Sequence, residues 1–234
     1  MTPERFERIT SVLQRRQPDL TVVSDEVHKG RNLSAIIRTC DAVGIDTIHC
    51  VVPKDGFQTY GGTAASAEKW VEVEHHADIC DVLTTLKAQG HQVVAASLGK
   101  QSVDFRCLDF TLPTALVMGA EIKGVSEAAL DLVDHRITVP MVGMVESFNV
   151  SVACAIILME AQRQREHAGL YSAVRLDADV YDHRFFNWAH PVLAKYCDDN
   201  GLSYPTLRDD GEVEGLSSWY KKTRHILNQK SNKD

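Results

Sequence analysis

The sequence predicts an α/β protein with a mostly parallel sheet covered on both faces, and three observations carry that expectation. Between residues 20 and 166 short β-branched runs alternate with stretches of helical apolar period. At 234 residues with 44% hydrophobic content, the chain has ample material for one sizeable α/β domain with terminal additions, or for two small domains. From Tyr171 onward the composition turns polar, so a tail follows the alternating region.

A helical segment is expected over residues 3–16, then Pro18 and a β-rich run at 20–23. Strands are expected at 47–52, 70–73, 92–96, 115–118 and 136–139, and helices at 33–43, 79–89, 127–133 and 149–166. The first of these helices places Leu33, Ile36, Ile37 and Cys40 at i, i+3, i+4 and i+7, which defines its buried stripe. The helix from Asn149 is apolar nearly all round for three turns, so it is expected to be buried on more than one side, economically at a subunit interface. In the tail, Tyr181, Phe185, Phe186, Trp188 and Tyr196 are expected to be anchors that dock it on the main domain or a partner, and Gly61 and Gly62 are expected to serve backbone turns. These elements divide the chain into an N-terminal helical extension at 1–19, a central domain at 20–168 and a C-terminal extension at 169–234.

Six scattered cysteines, with no CxxC pair and no His/Cys cluster at zinc spacing, are expected to be reduced thiols, and no metal is expected. The histidines, including the His75–His76 pair, read as surface or loop residues without a carboxylate set around them. The first residues lack an apolar signal core and no run is long enough to cross a bilayer, which predicts a soluble, cytoplasmic protein. A formal charge of −7 weighs against a nucleic-acid partner, yet Arg8, Arg15, Arg16, Arg163 and Arg165 are concentrated in two helical segments. Such charge runs serve equally as solvated faces.

Ligands of open α/β sheets lie outside the carboxyl ends of the strands, so the loops there carry the search for chemistry. In ITVPMVGMVESFNVSVA, from Ile137, a β-branched run breaks at Pro140 into a Gly/Met loop that ends on a helix. Ser147 and Asn149 stand where that helix begins; they serve as ordinary caps or, with free N–H groups, as a site for a polar or anionic ligand. Met141 and Met144 suit a flat apolar group beside it, or simply the core. ALVMGAEIKGVS, from Ala115, nearly has the spacing of a phosphate loop. It carries Val125 where the lysine would stand and Glu121 inside the anion cradle, which disfavours NTP hydrolysis. Glu121 reads either as a ligand for an amine or as a helix-start acid. Arg38 lies nearly opposite the buried stripe of its helix, among small residues. It either pairs with Asp41 at i+3 or, with Asn32, holds a phosphate. No GxGxxG follows an early strand, so a Rossmann dinucleotide site is not suggested.

NLSAIIRTCDAVG from Asn32, LVMGAEIKGVS from Leu116 and VPMVGMVESFNVSVACAI from Val139 together resemble the three motifs of the SpoU group of SPOUT methyltransferases, in the right order. RRQPDLTVV and the length of the tail resemble the TrmH branch, tRNA (guanosine-2'-O-)-methyltransferases acting at guanosine 18 of the D-loop. The resemblance implies a trefoil-knotted α/β fold with helical N- and C-terminal extensions, a homodimer with active sites built from both subunits, S-adenosylmethionine as cofactor and tRNA as substrate, without a DNA or membrane partner. It places Asn32, Arg38, Glu121, Ser147 and Asn149 in the catalytic region. Ala96, Met118, Gly119, Val139, Pro140, Met141 and Phe148 fall against the cofactor, and the five arginines named above against tRNA phosphates. A ribosomal-RNA 2'-O-methyltransferase of the same fold and a non-catalytic RNA-binding factor are the alternatives. Gly30 and Arg31 stand where Pro-His is common in the family, and Phe148 where Leu is usual.

Overall fold

The computed structural model describes residues 1–52 and 69–231; the expected turns at Gly61 and Gly62 lie outside the described residues. The chain divides into two compact units, Arg15–Arg175 and a second one made of Met1–Gln14 with Leu176–Asp234. The chain cuts thus fall at 14/15 and 175/176 rather than at 19 and 168, and the first and last segments belong to one unit.

The larger unit runs β1 (Leu20–Asp25), α2 (Gly30–Ala42), β2 (Thr47–Val51), β3 (Glu72–His76), α3 (Ile79–Ala88), β4 (Gln92–Ala96), β5 (Val103–Asp104), β6 (Thr114–Gly119), α4 (Glu127–Leu130), β7 (His135–Thr138) and α5 (Val150–His167), after the α1 (Pro3–Leu13) of the other unit. The strands form one sheet in the order β3-β2-β1-β6-β4-β7-β5. Every pairing in it among the described residues is parallel. Period-2 alternation divides β1, β4 and β6 between two cores. Val22, Val94, Leu116 and Met118 enter a core with Ile36, Ile37, Cys40, Ile157 and Leu158 of α2 and α5. Val23, Val93, Ala95 and Val117 enter the opposite core with Val82, Leu83 and Leu86 of α3 and Ala129 of α4. β6 is buried along its whole length, as a central strand with both faces covered must be.

The helix starts follow local capping chemistry. Asp78 accepts from the Cys80 N–H at 2.7 Å to open α3, and the Ser126 hydroxyl accepts from the Ala129 N–H at 3.3 Å to open α4. Besides β5, which has no counterpart among the expected strands, and α2, which opens at Gly30 rather than 33, three elements differ from the sequence expectation. α1 ends at Leu13, and the chain then turns Arg16 inward. α4 stops at Leu130, short of the expected 133, because the chain turns there to enter β7. The third is β3, which spans Glu72–His76 instead of 70–73. Its sequence EVEHH lacks the apolar run of a buried strand because it pairs with β2 on one side only and lies at the sheet edge, where charged groups guard against further pairing. The histidines likewise depart from their reading: His49, Glu74 and His76 converge across β2 and β3.

In the smaller unit, α1 packs on α6 (Ala178–Ala189), followed by α7 (Pro191–Asn200) and α8 (Leu216–Ser231). The tail aromatics supply its interior. Phe185 meets Phe6 of α1 edge-on at 5.7 Å between ring centroids, Phe186 stacks on Tyr204 at 4.3 Å, and Tyr196 lies edge-on to Trp219 at 6.3 Å. The Arg5 guanidinium donates to the Trp188 carbonyl at 2.8 Å. No helix of the described residues is long and apolar enough to cross a membrane.

Candidate active site

A cleft of about 690 Å³ opens outside the carboxyl ends of β4, β6 and β7, at Ala96, Met118–Gly119 and Ile137–Thr138. Six of the seven residues that the resemblance places against a cofactor line it: Ala96, Met118, Gly119, Val139, Met141 and Phe148; Pro140 is exposed and lies outside the lining. Gly119 is required where it stands, since a Cβ there would run into the backbone of Gly124 and Val125. Glu127, Glu146 and Lys29 also line the cleft, and sequence reasoning passed over them; the available signal was the place of Lys29 and Glu127 at helix starts and of Glu146 in the loop before α5.

Three of the catalytic candidates form one hydrogen-bonded relay that joins the first turn of α2, the loop after β6 and the cap of α5. The Asn32 side-chain amide donates to Glu121 Oε1 at 2.5 Å, and the Asn149 amide donates to Asn32 Oδ1 at 3.2 Å. Glu121 also accepts from the backbone N–H groups of His28 and Lys29, each at 3.3 Å. The chain reaches that position through Glu26, whose φ of 52° is the left-handed conformation that side chains other than glycine rarely adopt. Burial alone would raise the Glu121 pKa; hydrogen bonds from its own backbone, from Asn32 and from His28 and Lys29 outweigh it and hold the carboxyl below its ordinary value. Glu121 is therefore an ionised acceptor at neutral pH. It is not a helix-start acid, because α4 begins only at Glu127.

Asn149 has a second task. Its Oδ1 accepts from the Ser151 N–H at 2.9 Å and caps α5. Asn149→Ala is expected to cost about 1 kcal/mol, seen as a drop of roughly 2–4 °C in melting temperature, together with a fall in activity beyond what that loss of stability explains. Ser147 is exposed on the cleft wall.

Arg38 stands apart from this relay. It is exposed on α2, outside the cleft lining, and makes no ion pair among the described residues. Its expected partner Asp41 is engaged by Arg16 at 2.8 Å. Arg16 also donates to the Ile45 and Trp70 carbonyls at 2.8 and 2.6 Å and is fully buried. Arg165 is fully buried too, donating to Asp19 Oδ1 at 2.7 Å and to the Phe110 carbonyl at 2.9 Å. The expectation that these two arginines meet tRNA phosphates is thereby corrected: both are interior groups whose guanidinium ends are held by carbonyls and carboxylates. Arg8, Arg15 and Arg163 are exposed, Arg163 in an ion pair with Glu160 at 2.7 Å.

The description "SpoU rRNA Methylase family" matches residues 19–159, and its C-terminal counterpart matches residues 163–215. The chain belongs to the SpoU rRNA methylase family. This SpoU chain is 46% identical over 222 residues to the tRNA (guanosine(18)-2'-O)-methyltransferase of Escherichia coli K12, covering 94% of this chain and 97% of the relative. The crystal structure of the Aquifex aeolicus TrmH/SpoU tRNA modifying enzyme superposes with a TM-score of 0.75 at 41% identity, covering 81% of this chain and 97% of that one. An AdoMet-bound rRNA methyltransferase from Sinorhizobium meliloti superposes with a TM-score of 0.55 at 29% identity, covering 66% and 62%. The cleft and the relay fall within the matched segment 19–159 of this SpoU chain.

Proposed function

We propose that the chain catalyses S-adenosylmethionine-dependent 2'-O-methylation of ribose in tRNA, at guanosine 18 of the D-loop. The observation that carries this reading is the Asn32–Glu121–Asn149 relay at the cleft, in a SpoU-family chain with a relative named for this reaction. The cleft's chemistry fits the cofactor. Its volume lies within the range of about 300–1,000 Å³ usual for ligands of that size. Met118, Ile137, Val139 and Phe148 give apolar walls for a flat base, and the Glu121, Glu127 and Glu146 carboxylates complement a ligand carrying ammonium and sulfonium charge. Ala96, Gly119 and Met141 complete the set that would hold it.

When bound, S-adenosylmethionine supplies an electrophilic methyl group for in-line displacement. The chain's residues supply alignment. Ionised Glu121 orients Asn32 and the loop before α2, Asn149 ties the first turn of α2 to the start of α5, and Ser147 offers a hydroxyl to the incoming ribose. Arg38 clamps the phosphate next to the target 2'-hydroxyl and polarises that hydroxyl. A guanidinium is a hydrogen-bond donor with no acceptor site, so phosphate or water takes the proton.

Arg38 lies outside its own chain's cleft, and α5, packed against α2, exposes Val152 and Met159. We infer a homodimer in which this surface pairs with a second copy and Arg38 of one protomer completes the site of the other. The proposal includes the trefoil knot at the cofactor cleft, and a cytoplasmic protein that takes neither membrane nor DNA. Arg8, Arg15 and Arg163 are the exposed candidates for tRNA phosphates. The test is transfer of labelled methyl to unmodified tRNA and to ribosomal RNA in parallel, with the modified ribose mapped. Label at guanosine 18 of tRNA alone is expected. Label only in ribosomal RNA overturns the substrate, and label in neither overturns the enzymatic reading.

A further inference from the structure

His49, Glu74 and His76 take no part in the cleft described above. The parallel register of β2 and β3 sets His49 beside Glu74, and His76, two residues on, shares the face of Glu74. Their donor atoms form a triangle: His49 Nδ1 to His76 Nε2 is 3.0 Å, His49 Nδ1 to Glu74 Oε2 is 3.2 Å, and His76 Nε2 to Glu74 Oε2 is 3.6 Å. A zinc-class ion held tetrahedrally at about 2.0–2.1 Å keeps its donors about 3.3 Å apart. The triangle therefore already has the size of one face of such a tetrahedron.

The surroundings agree with that geometry. The three residues line a cleft of about 310 Å³ together with Asp81, Thr85 and His91. His49 is largely buried, with its side chain 14% exposed, while Glu74 at 50% lies open to the solvent side. Without a cation, two ring nitrogens 3.0 Å apart have to share one proton; an ion meets the lone pairs of all three donors at once.

We propose that His49, Glu74 and His76 form a binding site for one divalent transition-metal ion of the zinc class, with three protein donors and a fourth position for water from the cleft. A carboxylate with two imidazoles and an open position is the donor set of solvent-accessible zinc sites. The competing account is a metal-free polar cluster that only guards the edge strand.

The whole chain, stripped with a chelator, is titrated with cobalt(II) and then with zinc. One equivalent of cobalt per chain with the intense visible absorption of a tetrahedral ion, displaced by zinc, is expected. A His49→Gln/His76→Gln variant is expected to lose the band and to bind cobalt at least about a hundredfold more weakly, with its circular dichroism unchanged. If that variant does not fold, Glu74→Gln, at an exposed position, is expected to bind at least about tenfold more weakly with a shifted band. Absence of the tetrahedral band in the wild-type chain, or unchanged cobalt affinity in a folded variant, overturns the proposal.

Discussion

Arg38→Lys is expected to lower kcat for methyl transfer to tRNA by about a hundredfold to a thousandfold, the range seen when one preorganised charge-stabilising donor is removed. The melting temperature and S-adenosylmethionine affinity are expected to stay where they are. Arg38 is exposed, lies outside the cleft lining, and its would-be partner Asp41 is held by Arg16. An exposed group without such ties contributes within about 0.5 kcal/mol to stability. Lysine keeps the charge but loses the planar two-point grip of guanidinium on phosphate. Stopped single-turnover assays, with melting and cofactor titration beside them, make the measurement. Full activity at neutral pH in the lysine variant would sink the clamp and any special basicity of the guanidinium together.

The second large effect is one of stability. Arg165→Met is expected to destabilise the larger unit by about 3–5 kcal/mol, as removal of one partner of a buried ion pair does. The guanidinium reaches Asp19, Gln17 and the carbonyls of Phe110 and Leu112 from a fully buried position. Urea unfolding of the variant reads the loss directly, and Arg163→Ala, on the exposed face of the same helix, is the control expected to change almost nothing. A variant that melts normally but binds tRNA weakly would return Arg165 to the RNA surface.

The same arrangement gives a pH dependence. Burial would raise the Asp19 pKa, but hydrogen bonds and charge from Arg165 and Arg175 outweigh it and hold the folded value below the ordinary one. The stabilisation is then present above the unfolded carboxylate value near about 4 and is lost as pH falls through the folded value. Acid unfolding is expected to be less steep in Arg165→Met than in the native chain.

Much of the fold could be read from patterns that are local. The β4 span, the α2 stripe and the start of α5 at its Asn149 cap follow from apolar period and cap chemistry. Edge strand β3 was displaced because its polar residues carry no burial signal, and the two-residue β5 is too short to have a period. The site divides the same way. Asn32, in the first turn of α2, and Glu121 and Asn149, in the segments after β6 and β7, each follow a strand, whereas their meeting depends on where three strands end in the sheet. The burial of Arg16 and Arg165 was illegible because helical spacing cannot reveal acceptors such as the Ile45 or Phe110 carbonyls, which come from remote segments. His49 met Glu74 only through the register of two strands, a fact that spacing within either strand does not contain.

The joining of α1 to α6 bears on how the protein is made. Arg5 and Trp188, which share a hydrogen bond, stand 183 positions apart. At roughly 5–20 residues per second on a ribosome, α1 emerges on the order of ten to forty seconds before the helix it packs against. Throughout that interval the apolar side of α1 with Phe6 lacks its native cover, while the intervening parallel sheet completes its own pairings. The unit holding the first helix is thus among the last parts of the nascent chain to close.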